Sequence, residues 1–138
     1  MYQLNINQEF NASASKLFNA WTNPELIAKW FAPGAMTVPE ATSVLKVGGQ
    51  YRVVMQNPDG EQFIVGGKYI EIDEPNKLVF SWKWEHGQIT TKVEVLISEL
   101  ESNKSKLELI HTEFVDQEDC TKHHEGWLGC LANLPKAF

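Results

Sequence analysis

Five side chains that could bind a metal ion lie close together near the carboxyl-terminal end of the sequence: Asp116, Asp119, Cys120, His123 and His124. Thiolate and imidazole groups are zinc ligands, and Cys120 and His124 are about one helical turn apart. No second Cys/His pair has a matching spacing, and the acids are explained as caps at the start of a helix. The sequence therefore predicts no metal site.

His111 is the other residue that could do chemistry. It continues the alternation of Leu107 and Leu109, which predicts that its imidazole lies on the buried face of a strand. Burial favours the neutral ring, which could orient a ligand or act as an acid/base. The simpler interpretation is a core histidine that hydrogen-bonds a backbone carbonyl or a tyrosine hydroxyl, and catalysis by His111 stays open as an alternative.

Known catalytic signatures are absent from the sequence. There is no Gly-rich phosphate loop, no Gly-x-Ser-x-Gly, no His-Glu-x-x-His and no close pair of acids in an apolar setting. We expect no cofactor, and His111 is the only candidate catalytic residue.

Aromatic residues on faces expected to point inward form the most informative set. They are Tyr51, Phe63, Tyr69, Phe80, Trp82, Trp84 and Trp127. Large flat side chains either pack a core or line a cleft for a ligand. Any one of them is explained by core packing, but the whole set facing one helix predicts a cavity as readily as a solid core.

Two glycines, Gly126 and Gly129, lie three residues apart in what we predict to be the last helix. Each costs roughly 1 kcal/mol relative to alanine inside a helix. Their missing side chains indicate either a close approach of the backbone to the sheet or a void left for a ligand.

The segment from Trp30 to Met36 places two aromatic residues and a methionine around the Pro33-Gly34 breaker. If these apolar side chains were exposed, they would favour aggregation. We therefore expect them to form either a fixed plug at the open end of the sheet or a mobile lid over a pocket.

Hydrophobic periodicity predicts the elements that position these residues. Residues Tyr2 to Ile6 alternate as a strand. Two short helices follow, the first capped from Asn11-Ala12-Ser13 and the second at Asn23, and a five-turn amphipathic helix runs from about Glu118 to Phe138. Between Gly48 and Phe114 we predict the strands Tyr51/Val53/Met55, Phe63/Val65, Tyr69 to Ile72, Leu78/Phe80/Trp82/Trp84, Val93/Val95/Ile97 and Leu107/Leu109/His111. The expected fold is a single α+β domain over residues 1–138, with a curved antiparallel sheet covered by the last helix.

Composition and charge restrict the partners. The chain has 138 residues, 43% of them apolar, and a formal net charge of −6 without any basic run. We therefore expect neither nucleic acid nor a membrane as a partner. Cys120 and Cys130 lie too far apart on one helix for a disulfide, which with the lack of a leader-like start predicts free thiols and a cytoplasmic location.

An ordered series of short motifs resembles one protein family. The motifs are Asn23-Pro24-Glu25, Trp30-Phe31, Gly48-Gly49-Gln50-Tyr51, Gly67, Glu74-Pro75, Leu78-Val79-Phe80-Ser81-Trp82, His111 and His123-x-x-Gly126-Trp127. From about Asn7 to Leu134 the chain resembles the bacterial proteins similar to the activator of heat shock protein 90 ATPase, within the START-like (SRPBCC) helix-grip superfamily. The resemblance implies a cavity between sheet and last helix that takes lipids, polyketides or other hydrophobic molecules.

The resemblance implies that Trp30, Tyr51, Trp82, His111 and Trp127 lie at the wall or mouth of that cavity, without a catalytic role. With the inward-facing positions of the predicted strands and helix, the candidate ligand-binding residues are Trp30, Met36, Tyr51, Val53, Phe63, Tyr69, Trp82, Val93, His111, Trp127 and Leu131.

Three functions remain open at this point. The leading hypothesis is the binding of a small hydrophobic molecule such as a lipid, a polyketide or an aromatic metabolite. The second is a cofactor-independent enzyme on a hydrophobic substrate with His111 as acid/base, aided by a tyrosine. The third is an interaction module that engages a chaperone, which only the family name supports. A homodimer could cover the far end of the pocket.

Overall fold

One seven-stranded antiparallel sheet forms the body of the protein in a computed structural model that describes all 138 residues. The strand order is β1-β7-β6-β5-β4-β3-β2, so that only β1 joins out of sequence. The strands are β1 (Tyr2–Phe10), β2 (Thr37–Ser43), β3 (Gln50–Gln56), β4 (Gln62–Asp73), β5 (Lys77–Trp84), β6 (Thr91–Glu101) and β7 (Lys104–Phe114). The predicted α+β helix-grip class is confirmed.

Two short helices follow β1, as the caps predict. Helix α1 (Ala14–Thr22) begins after Ser13, whose side chain accepts a hydrogen bond from the backbone N–H of Lys16. Helix α2 (Pro24–Trp30) begins after Asn23, whose side chain accepts from the N–H of Glu25. Both caps satisfy N–H groups that the first turn of a helix leaves without partners.

The last helix, α3, spans Gln117–Asn133 and is followed by a 3₁₀ turn from Leu134 to Ala137. The sequence predicted one helix to Phe138. Pro135 lacks the N–H that a continuing α-helix would use, so the regular α-helical hydrogen bonds stop and the chain tightens into the 3₁₀ turn. None of the helices is long and apolar enough to cross a lipid bilayer.

Two details of the sheet differ from the prediction. Strand β2 was not predicted, because it is an edge strand of mainly polar residues that contains Pro39. Strand β4 is continuous where the sequence indicated two segments, because Gly66 and Gly67 interrupt the apolar alternation but not the pairing with β3.

The concave face of the sheet and the three helices enclose one continuous core of 33 buried residues. Alternate residues of the central strands point into it, among them the fully buried Val93, Val95, Leu107 and Leu109. Leu131 of α3 and Leu134 of the 3₁₀ turn enter the same core. One half of α3 is therefore packed tightly against the sheet.

Gly67 lies where strands β4 and β5 approach unusually closely. A Cβ atom built on Gly67 would collide with the carbonyl oxygen of Ser81 on β5. That carbonyl accepts a 2.6 Å hydrogen bond from the hydroxyl of Tyr51, and the N–H of Lys68 donates to Ser81 Oγ at 2.9 Å. The close approach of the two strands at this point therefore depends on a glycine.

Alanine substitutions at Gly67 and Gly126 should have opposite effects on stability. Gly67→Ala forces backbone apart and should lower the free energy of unfolding by about 1–3 kcal/mol. A Cβ at Gly126 meets no atom within 4 Å, so Gly126→Ala should raise it by up to ~1 kcal/mol through helix propensity. Urea denaturation of both variants measures this. Equal effects at the two positions would contradict the assigned surroundings.

Candidate functional site

A cavity of about 460 Å³ lies between α3 and strands β3, β4 and β5, with the segment after α2 at one side. Its volume is within the range typical of sites for small molecules. Its walls are Pro33, Met36, Met55, Asn57, Phe63, Trp82, Trp84, Asp119, Lys122, His123, Gly126, Trp127 and Cys130.

Helix α3 supplies one wall through residues spaced three and four apart. Asp119, His123, Gly126, Trp127 and Cys130 share one face because this spacing follows the 3.6-residue helical period. The open space beside Gly126 is part of the cavity. Gly129 has the other role: a Cβ there would lie 2.8 Å from Pro33 Cβ, so this glycine allows α3 to approach the segment after α2.

The sheet supplies an apolar wall opposite the helix. Trp82 and Trp84 project from the same face of β5 because they are two residues apart, and Met55 and Phe63 are cross-strand partners on β3 and β4. Trp82 is buried, whereas Phe63 is 39% exposed and marks the mouth. The interior of the cavity is therefore aromatic.

Polar groups are confined to the helical side and the rim. Lys122 and Asp119 lie on α3, and Asn57 lies in the turn between β3 and β4. Lys122 Nζ is exposed and lies 3.3 Å from Glu118 Oε1. A ligand in this cavity would meet ring faces and methionines inside and charged groups only near solvent.

Two indole–imidazole hydrogen bonds join α3 to the sheet beside the cavity. Trp127 of α3 donates from Nε1 to Nδ1 of His111 on β7, at 3.0 Å. Trp84 of β5 donates from Nε1 to Nε2 of His123 on α3, at 2.9 Å. Since an indole nitrogen can only donate, the accepting imidazole nitrogen in each pair carries no proton.

The bond from Trp127 fixes the tautomer of His111. With Nδ1 accepting, the ring proton is on Nε2, which donates to Thr91 Oγ1 at 2.6 Å. Thr91 in turn donates to the carbonyl oxygen of Trp82 at 3.3 Å. Burial, with repulsion from His123 as the second cause, lowers the pKa of His111 to about 3. His111 is thus a neutral side chain with both ring nitrogens in use.

His123 is held in the opposite tautomer. Its Nε2 accepts from Trp84, and its Nδ1 donates to the backbone carbonyl of Asp119 at 2.9 Å, one turn earlier in α3. Trp84, His123 and Asp119 also border a second cavity of about 190 Å³ on the far side of the same wall, which Trp82 lines as well. The Trp84–His123 bond therefore lies in the partition between two cavities.

The metal-ligand cluster considered in the sequence is dispersed in the structure. No three histidine, cysteine, aspartate or glutamate side chains come together. His123 and Asp119 face the cavity, Cys120 is buried elsewhere on α3, and Asp116 caps that helix. Cys130, in the cavity wall, has its pKa raised to about 12 by burial, so its thiol stays protonated.

The predicted site residues fall into two groups. Met36, Phe63, Trp82 and Trp127 line the main cavity. The others lie in the packed core: Trp30 donates to the carbonyl of Ala20, and His111 stands behind Trp127. The residues around a separate void of only about 10 Å³ include Tyr51, Val53 and Tyr69. Val93 and Leu131 are fully buried.

Sequence reasoning missed part of the cavity wall. Pro33, Met55, Asn57, Lys122 and Cys130 were not among the candidates, and His123 was weighed only as a metal ligand. The signal that could have found His123 and Cys130 is their spacing of four and three residues from Trp127 along the helix. Met55 was on the predicted inner face of β3 but carried no mark that separates a cavity wall from core.

Comparison with known proteins identifies many solved structures of the same fold. The AHSA1 protein from Silicibacter pomeroyi is 24% identical with a TM-score of 0.87, over 96% of this chain and 94% of that one. The AHSA1-like protein from Aeromonas hydrophila is 21% identical with a TM-score of 0.81, over 99% and 91%. CalU16 from Micromonospora echinospora is 25% identical with a TM-score of 0.74, over 98% and 74%. A search of curated proteins finds no match.

The family model described as "Activator of Hsp90 ATPase homolog 1-like protein" matches residues 11–138. This match covers nearly the whole chain, and the seven-stranded sheet gripping α3 agrees with the structural neighbours. The chain therefore belongs to the AHSA1-like family of the START-like (SRPBCC) helix-grip superfamily.

Proposed function

We propose that the protein binds a small hydrophobic molecule in the 460 Å³ cavity between α3 and the sheet. The observation that carries this proposal is the composition of the wall, where three tryptophans, Trp82, Trp84 and Trp127, surround a space that no side chain fills. Cores are normally packed without voids of this size. A space of this kind in a hydrophobic-ligand-binding fold supports a ligand site.

The geometry of the wall supports an aromatic ligand over a long acyl chain. Trp82 and Trp127 have ring centroids 5.1 Å apart, and Trp82 and Trp84 meet edge to face at 5.5 Å. Flat rings present large faces to another flat molecule and keep their shape at little entropic cost. An aromatic metabolite or a polyaromatic polyketide suits such a wall.

The hydrogen bonds of His111 favour binding over proton transfer at this residue. A general acid or base must have a ring nitrogen within reach of the substrate. In His111 one nitrogen accepts from Trp127 and the other donates to Thr91, and the residue is fully buried behind the cavity wall. Its place in the structure is that of a support for Trp127.

Filling the cavity from Gly126 should weaken ligand binding without unfolding the protein. A leucine at Gly126 projects into open space, and it also removes a helix-destabilising glycine worth about 1 kcal/mol. We expect Gly126→Leu to weaken binding of the fluorescent probe N-phenyl-1-naphthylamine at least about tenfold, a change of ~1.4 kcal/mol. Fluorescence titration measures the affinity, and urea denaturation checks stability.

Ala132→Leu is the matched control, because Ala132 is on the exposed side of α3. It adds the same side chain to the same helix and should leave probe affinity unchanged. Equal affinity of the wild type and Gly126→Leu would contradict the proposed site, and failure of the wild-type protein to bind the probe or any aromatic compound of similar size would contradict the function.

Replacement of His111 by glutamine should remove one component of the acid sensitivity of the fold. Burial lowers the pKa of His111 to about 3 in the folded protein, below the value of about 6.5 in the unfolded chain. Between these pH values the unfolded chain binds the extra proton, so stability falls as the pH falls. Glutamine can accept from Trp127 and donate to Thr91 but does not titrate. Between pH 7 and 5 the wild type should lose ~2 kcal/mol more than His111→Gln.

Urea denaturation of the two proteins at both pH values measures the difference. Parallel losses of stability would show that His111 is not held neutral in the folded state.

A further inference from the structure

The main cavity of about 460 Å³ and the second cavity of about 190 Å³ share part of their walls. The shared side chains are Trp82, Trp84, Asp119 and His123. Of these, Trp84 projects from β5 and His123 from α3, and the two meet in the 2.9 Å hydrogen bond from Trp84 Nε1 to His123 Nε2. Since this pair reaches from the sheet to the helix, it closes the main cavity at the end that adjoins the second.

The second cavity has the same apolar character as the main one. Phe114 at the end of β7 and Ile89 between β5 and β6 are part of its wall. The hydroxyl of Thr91, also in the wall, is already hydrogen-bonded to two groups of the protein. At about 190 Å³ the cavity is smaller than most sites for small molecules, but it could extend the main cavity. The pair is therefore what separates a hydrophobic ligand in the main cavity from this space.

Both rings of the pair are held in place by further contacts. Nδ1 of His123 donates to the backbone carbonyl of Asp119 at 2.9 Å, so both nitrogens of this ring are in use. The His123 ring also packs against Phe114, with the ring centroids 5.0 Å apart, and Trp84 meets Trp82 edge to face at 5.5 Å. Separating the pair would leave a partly buried donor and acceptor without partners, which is costly. The pair is a fixed wall.

We infer, building on the proposed function, that the Trp84–His123 pair determines ligand specificity by limiting ligand length. The main cavity takes a compact aromatic molecule, and the pair keeps a longer one out of the second cavity. Any additional ring then remains in solvent at the mouth, where Phe63 lies, and adds little affinity, because the driving force comes from apolar surface removed from water. Trp84 is the residue that sets the limit, since its indole is the larger member of the pair.

Two fluorescent probes that differ by one ring test the inference: N-phenyl-1-naphthylamine and N-(4-biphenylyl)-1-naphthylamine, which is extended by a second phenyl ring. The Kd of each is measured for the wild type, Trp84→Ala and Ile89→Ala. Trp84→Ala removes the indole between the cavities, while the hydrogen bond from Trp127 to His111 still joins α3 to the sheet. In this variant we expect the affinity for the longer probe, relative to the shorter, to rise at least about tenfold.

Ile89→Ala is the matched control. The side chain of Ile89 lines the second cavity but not the main one, and it is 47% exposed. Its truncation enlarges the second cavity and leaves the pair intact, so both Kd values should equal those of the wild type. A change in the Kd of the longer probe would show that this probe already reaches the second cavity, and would overturn the inference.

Nuclear Overhauser effects in the wild type give a second reading that does not depend on any variant folding. Met36 and Met55 line the main cavity but not the second, whereas Ile89 lines the second alone. In protein with labelled methyl groups, both probes should show contacts to the two methionines and neither should show a contact to Ile89. A contact between either probe and the Ile89 methyl groups would overturn the inference.

The outcomes separate the inference from the function on which it rests. If both probes bind and their Kd ratio is the same in the wild type and Trp84→Ala, the cavity binds ligands but the inference is overturned. If neither probe binds the wild type, or both bind without contact to the two methionines, the proposed function fails and the inference with it. If Trp84→Ala does not fold, the methyl contacts in the wild type decide.

Discussion

The hydrogen bonds from Trp127 to His111 and from Trp84 to His123 set the distance between α3 and the sheet, and the cavity depends on that distance. Each bond spans the interface, one in each direction. Both require an imidazole nitrogen without a proton, so both are lost if the histidine is protonated. A typical hydrogen bond contributes about 1 kcal/mol, but a buried donor or acceptor left without a partner costs more. The two pairs therefore favour the one position of α3 in which both hydrogen bonds are made.

The two halves of α3 are then used differently. Its carboxyl-terminal half is packed against the rest of the protein. Leu131 lies in the core, Asn133 donates a hydrogen bond to the carbonyl of Ala32, and Gly129 allows the helix to approach Pro33. Its middle part is held off the sheet, with Gly126 beside open space. Apolar packing at one end supplies the stability that permits an unfilled space at the other.

Much of the fold could be predicted from the sequence, because alternation in strands and capping at Ser13 and Asn23 are local properties. The same alternation identified Trp82 as inward-facing, and the three- and four-residue spacing of apolar residues in the last helix did so for Trp127. It could not separate the cavity wall from the core, since Val53 and Met55 occupy equivalent positions on β3 and only the placement of α3 distinguishes them. The partners of His111 and His123 come from other elements, and no local pattern encodes such side-chain pairs.

The tautomers of the two histidines offer the most direct test of this account. Long-range proton–nitrogen NMR of ¹⁵N-labelled protein at slightly alkaline pH distinguishes the Nδ1–H from the Nε2–H form of a neutral imidazole. The account predicts the Nε2–H form for His111 and the Nδ1–H form for His123. The opposite tautomer at either residue would leave the indole without its acceptor and contradict the assigned link between α3 and the sheet.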